Sequence, residues 1–224
     1  MAKGGGSKAL KDMNRWQLWL VIAVNSLVLY GVSQSEVIAV SGFRAILDGT
    51  AQLLPVGLAV VVTTVANGLL SADMKARLVF LRWKYALPGH RAFSKYAPQD
   101  PRIDVGRLQR ALGNKTPSDP KAENSAWYRF YLEVQNVAAV QQVHRDFLLL
   151  RDYAGLAALF LLGFGVAACF IVGSLKVLAF YLTFLLLQFA VVRHAASTYG
   201  IRFVCTVLAQ KAAKPTQTKA SSGS

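Results

Sequence analysis

The residues able to do chemistry gather in two places. One is the run Leu-Pro-Gly-His-Arg-Ala-Phe-Ser-Lys-Tyr-Ala-Pro-Gln-Asp-Pro-Arg-Ile-Asp from Leu87 to Asp104. There His90, Arg91, Lys95 and Arg102 alternate with Phe93 and Tyr96 on a proline-framed loop. Cationic donors hold phosphate or carboxylate through charge-assisted hydrogen bonds, and aromatic faces stack on bases. The stretch is therefore a candidate site for an anionic or nucleotide ligand. The competing reading has Phe93 and Tyr96 packing the loop back onto its neighbours, with the cations merely solvated. The other place is the doubled pair Arg145-Asp146 and Arg151-Asp152, repeated where a charged helix runs into an apolar stretch. Ion pairs of this kind anchor a helix end at the membrane boundary. A sharper reading is a gate in which they pair with Arg77 or Asp73.

Neither place reads as a catalytic centre. His90, His144 and His194 have no metal-ligand spacing with one another or with Cys169 and Cys205, so neither metal nor cofactor is expected. His144-Arg145-Asp146 resembles the protein-kinase catalytic loop for three residues only; Arg151 stands where that loop needs Asn. His144 fits better as a polar member of a helix seam, and His194 as an interfacial anchor. The expectation is a non-enzymatic protein. The alternatives are a membrane-embedded enzyme on a lipid or lipid-linked substrate, using the Arg-Asp pairs and His194, or a small channel or carrier lined by Asn25, Asn67 and Gln188.

What positions these residues is a set of four apolar stretches, Trp16–Val32, Leu53–Leu70, Tyr153–Val172 and Leu175–Val192. The first three hold no Asp, Glu, Lys or Arg, and the fourth only Lys176 at its start. About 20 apolar residues of helix cross a bilayer core. The fold class that follows is an all-α membrane protein: four transmembrane helices with a helical cytoplasmic stalk or domain between the second and third. The expected divisions are a flexible cytoplasmic segment over 1–14, spans one and two within 15–72, the cytoplasmic helical domain over 73–150, spans three and four within 151–193, an amphipathic helix over 194–213 and a disordered tail over 214–224.

The net charge of +14 is unevenly placed. Lys3, Lys8, Lys11 and Arg15 precede the first stretch, the segment from Asp73 to Asp152 carries 14 Lys and Arg against 8 acids, and the tail from Arg193 has cations only. Lys and Arg near span ends resist translocation, which puts both termini and the middle segment in the cytoplasm. Attraction to anionic headgroups explains much of this basic character, so nucleic acid is an unlikely partner. The lipid bilayer is the first one.

Within the middle segment, Ser71–Ala86 reads as a continuation of the second span until Pro88-Gly89 stops it. Pro101 to Leu112 reads as a short helix capped by Asp100, and Asp119-Pro120 as the start of a longer one. From there Trp127, Phe130, Val134, Val137, Gln141, His144 and Leu148 recur every three or four residues, a coiled-coil-like seam for the stalk and for homo-oligomer contacts. With no Pro or Gly from Ala122 to Tyr153, that helix should run unbroken into the third span. The layout is similar to small multi-span membrane proteins of bacterial anti-phage and conflict systems, which couple a cytosolic sensing part to an oligomeric membrane part. The resemblance is architectural and implies an inner-membrane effector that oligomerises and binds a cytosolic protein partner or an anionic ligand.

Overall fold

The computed structural model describes residues 15–42, 53–114 and 117–213. The expectations for the two terminal segments, and for part of the first outer connection, fall outside these residues. Among them all regular structure is helical. In chain order the α-helices of seven residues or more are α1 (Arg15–Ser33), α2 (Ser35–Ser41), α3 (Leu53–Leu69), α4 (Ala72–Phe80), α5 (Val105–Ala111), α6 (Pro120–Val134), α7 (Ala138–Leu159), α8 (Gly165–Ile171) and α9 (Leu175–Ala213). A π turn, Phe160–Phe164, joins α7 to α8. Three helices are long and apolar enough to cross a membrane: α1, the run Ala138–Ile171, and α9. A fourth is added if α3 and α4, bent by 99° to each other, count as one broken span.

The chain forms two compact units, Met1–Leu81 with Leu148–Ser197 and Arg82–Phe147 with Thr198–Ser224. In the first, α1, α3 and α8 pack together. Its core is Leu29, Leu156, Phe160, Phe164, Ala168 and Leu185, all excluded from solvent. Small residues set the close approach: a Cβ on Gly163 would lie 3.4 Å from Thr63 Oγ1, and one on Gly165 3.2 Å from Leu182. The outward faces are also apolar, with Leu54, Leu58, Val61, Phe170, Phe180 and Leu187 exposed. Acyl chains solvate such faces as well as a protein core does. In the second unit, α6 packs on the turns from Pro88 to Tyr96. Contact is close enough that a Cβ on Gly89 would overlap Asn124 Oδ1 and come within 3.1 Å of the Trp127 ring.

Several boundaries differ from those the sequence suggests. Ser71–Ala86 does not continue the second span. Ser71 caps a new helix, accepting a hydrogen bond from the Met74 amide at 3.2 Å, and α4 ends at Leu81 in the left-handed region. The expected helix over Pro101–Leu112 is shorter, because Asp104 rather than Asp100 caps it, accepting from the Arg107 amide at 2.9 Å. Asp119-Pro120 does begin α6, with Asp119 Oδ1 accepting from the Lys121 and Ala122 amides. That helix then breaks at 135–137, where tight bonds from Val137 N to Val134 O and from Val140 N to Val137 O replace the α pattern. Gln135 helps by donating to the Leu132 carbonyl at 3.1 Å. Nor is 194–213 a separate helix: α9 runs unbroken from Leu175 to Ala213, and it holds no proline to end it.

Candidate functional site

In the first unit, three charges meet out of water. Lys75 Nζ lies 3.3 Å from Asp152 Oδ1, and Arg151 Nη2 lies 3.1 Å from the same oxygen. Their side chains are 6%, 3% and 12% exposed for Lys75, Asp152 and Arg151. The lysine reaches inward because Gly155 leaves room for its stem; a Cβ there would touch Lys75 Cε at 3.4 Å. Beside this cluster Arg193 donates to the Val79 carbonyl at 3.2 Å, and Gln188 donates to the Tyr153 hydroxyl at 3.0 Å. Val79, Ala154, Val192 and Ala196 form the apolar patch between them. Helices α4, α7 and α9 are thus tied at one level by ion pairs, side-chain hydrogen bonds and packing.

The partners differ from the anticipated gate. Arg77 pairs with Asp73 on its own helix at 2.6 Å, and Asp152 takes Lys75 instead. The other copy of the doubled motif belongs to the second unit: Arg145 and Asp146 are 3.8 Å apart and about one-third exposed. Asp146 also accepts from Gln142 Nε2 at 3.1 Å. One pair is solvated and the other buried, although their sequences are identical. His194 is exposed on α9.

Most of the seam residues turn inward within the second unit, although Gln141 is exposed and Leu148 is buried in the first unit. His144 stacks on Phe203 with ring centroids 4.5 Å apart and planes 6° from parallel, and its Nδ1 lies 3.2 Å from the Tyr131 hydroxyl. Trp127 meets Phe203 edge-on at 5.4 Å and stacks on Tyr131. Burial pushes the Tyr131 phenol up. Phe130 meets Phe93 edge-on at 6.0 Å, and Val134 is buried. Val137 lies in the break and is half-buried. These side chains are occupied within one chain, so the face read as a contact between copies is already filled by the chain's own rings.

The loop residues part ways. Phe93 and Tyr96 are buried, and the loop is held by Glu123, whose Oε2 accepts from the Phe93 amide at 2.8 Å and the Ser94 amide at 3.0 Å. His90 donates from Nδ1 to the Pro120 carbonyl at 2.8 Å. Arg91 and Lys95 place their charges 6.0 and 5.7 Å from the centroid of the Tyr96 ring, a cation–π geometry. Arg102 grips Asp100 with two parallel bonds, Nε to Oδ1 at 2.9 Å and Nη2 to Oδ2 at 2.6 Å. That guanidinium holds the Asp100 carboxyl down at about 2.

Arg102 is nevertheless half exposed, and it opens onto a groove of about 690 Å³ that Arg202, Thr206 and Gln210 also line. This volume suits a small ligand, and two guanidinium groups with a hydroxyl and an amide suit an anionic one. Arg202, Lys75 and Glu123 were not singled out by sequence. The first two read as ordinary cations of a basic chain; the third is a lone acid on a helix face, with nothing nearby in sequence to mark its two amide partners. Comparison with protein-family models, with curated proteins and with solved structures finds no match to this chain.

Proposed function

We propose that this chain is a non-enzymatic, multi-pass protein of the bacterial inner membrane, with four spans, both termini cytoplasmic, acting as a homo-oligomer. Its second unit receives an anionic ligand or a cytosolic protein, and its spans respond, as in an anti-phage membrane effector. The observation that carries this reading is that α7 and α9 each contribute to both units. The helix that supplies Arg202 to the groove also supplies Leu185 to the span core and Arg193 to the boundary cluster. Whatever the groove holds is therefore bonded to the same two helices that build the membrane part. The charge placement supports the orientation, because the unit rich in Lys and Arg is the one expected to stay inside.

Two measurements test it together. A cysteine placed at Asn114 should stay unlabelled by an impermeant reagent in intact cells, while one at Gly42 should be labelled. Raised expression should depolarise the membrane, and Arg102→Glu with Arg202→Glu should abolish that effect at an unchanged level of inserted protein. Labelling of Asn114 from outside overturns the topology. Depolarisation that survives both charge reversals removes the groove from the proposal.

A further inference from the structure

The segment linking α4 to the Pro88 turn reads Leu81-Arg-Trp-Lys-Tyr-Ala-Leu87 and forms no regular structure. Its apolar side chains point outward: Trp83 is 82% exposed, Leu81 67%, Tyr85 41% and Leu87 38%. Arg82 and Lys84 are exposed between them. Leu81 and Tyr85 hold left-handed backbone, φ 49° and 52°, which non-glycine residues seldom adopt. A stretch that displays tryptophan, tyrosine and leucine with interleaved cations has the composition of the membrane–water boundary. Aromatic rings settle there at headgroup level, and Lys and Arg meet phosphates.

Chain continuity places the start of the segment, Leu81 at the end of α4, at that depth. Helix α4 leaves α3 at 99°, so if α3 crosses the bilayer, α4 runs along its surface. The nine residues of α4 then carry the chain sideways, about 1.5 Å per residue, rather than away from the lipid. The segment begins where α4 stops. Met74, 49% exposed on α4, extends the apolar display toward the span.

We propose that Leu81–Leu87 is an interfacial anchor that docks on anionic phospholipid headgroups, with Trp83 and Leu87 in the upper acyl region and Arg82 and Lys84 on the phosphates. The assignment rests on the proposed reading of this chain as a multi-pass membrane protein, and the α1 control below tests that reading separately.

The test uses the full chain in vesicles of phosphatidylcholine with phosphatidylglycerol, doped with lipids brominated high on the acyl chain. Fluorescence lost between wild type and Trp83→Phe reports Trp83; that lost between wild type and Trp16→Phe/Trp19→Phe reports the start of α1. Both signals should be quenched by bromine. Arg82→Gln and Lys84→Gln should each lower the docked-to-free ratio at Trp83 roughly fivefold, and replacing phosphatidylglycerol by phosphatidylcholine should lower it about 25-fold, while the α1 signal stays unchanged. Quenching at α1 but not at Trp83 overturns the anchor and leaves the membrane reading standing. Quenching at neither overturns both. A Trp83 shielded from aqueous iodide yet untouched by bromine assigns the surface to a protein, and also overturns the proposal.

Discussion

Replacing Asp152 with alanine should destabilise the protein by about 3–5 kcal/mol. The carboxylate sits between Lys75 and Arg151, all three nearly excluded from solvent, so its loss leaves like charges facing each other in a medium that screens them poorly. The cost comes from the stranded charges rather than from the worth of the ion pair itself. Joint replacement of Lys75 by Met and Asp152 by Leu should therefore recover part of the loss, because Lys75 no longer faces a like charge while Arg151, 12% exposed, still loses its carboxylate. Unfolding of the detergent-solubilised protein with increasing sodium dodecyl sulfate measures both variants. A loss below about 1 kcal/mol for the alanine, the range of exposed pairs, would mean that water reaches the cluster freely.

Glu123→Ala should cost about 2–4 kcal/mol, since a buried and a part-buried backbone amide lose their shared acceptor at once. Phe93 N and Ser94 N have Glu123 Oε2 within 3.0 Å, and Phe93 is packed edge-on to Phe130. Once the amides are released, the turn from Ala92 to Tyr96 should open. Glu123→Gln keeps a carbonyl acceptor and should lose roughly half as much. Hydrogen exchange at the Phe93 and Ser94 amides is the direct readout, with protection falling in step with the measured stability. Unchanged exchange in the alanine variant would show that packing of Phe93 and Tyr96 alone holds the loop.

The helices long and apolar enough to cross a membrane are legible because length and freedom from charge are both written in composition. The start of α6 was legible as well, since Asp119-Pro120 joins a side-chain acceptor to a residue with no amide hydrogen to satisfy. The bend at Ser71 was not, although the signature is present: Ser71 precedes Ala72, with an acid at Asp73 in the first turn. It lay inside a run with no Gly or Pro, where a start signal is easily read as one more helical residue. The end of α4 was hidden for the opposite reason, because Leu81 adopts a conformation for which glycine is the usual choice. The candidate site was legible only as residue types. The sequence offers Arg145-Asp146 and Arg151-Asp152 as equals, and only the packing of Lys75 over Gly155 makes one pair buried and the other solvated. Arg102 was read as free for a ligand, yet Asp100, two residues away, takes one face of its guanidinium.

The π turn at Phe160–Phe164 holds one residue more than an α turn would. Each helical residue advances the azimuth by about 100°, so the extra one rotates everything after it by that angle relative to an uninterrupted α-helix. Phe160 and Phe164, four residues apart, both face inward, with centroids 4.9 Å apart. A homologue lacking that residue would present the same faces on both sides of the turn from a chain one residue shorter. Aligned to this protein, it would demand a gap in the middle of a hydrophobic span, where alignments place gaps most reluctantly.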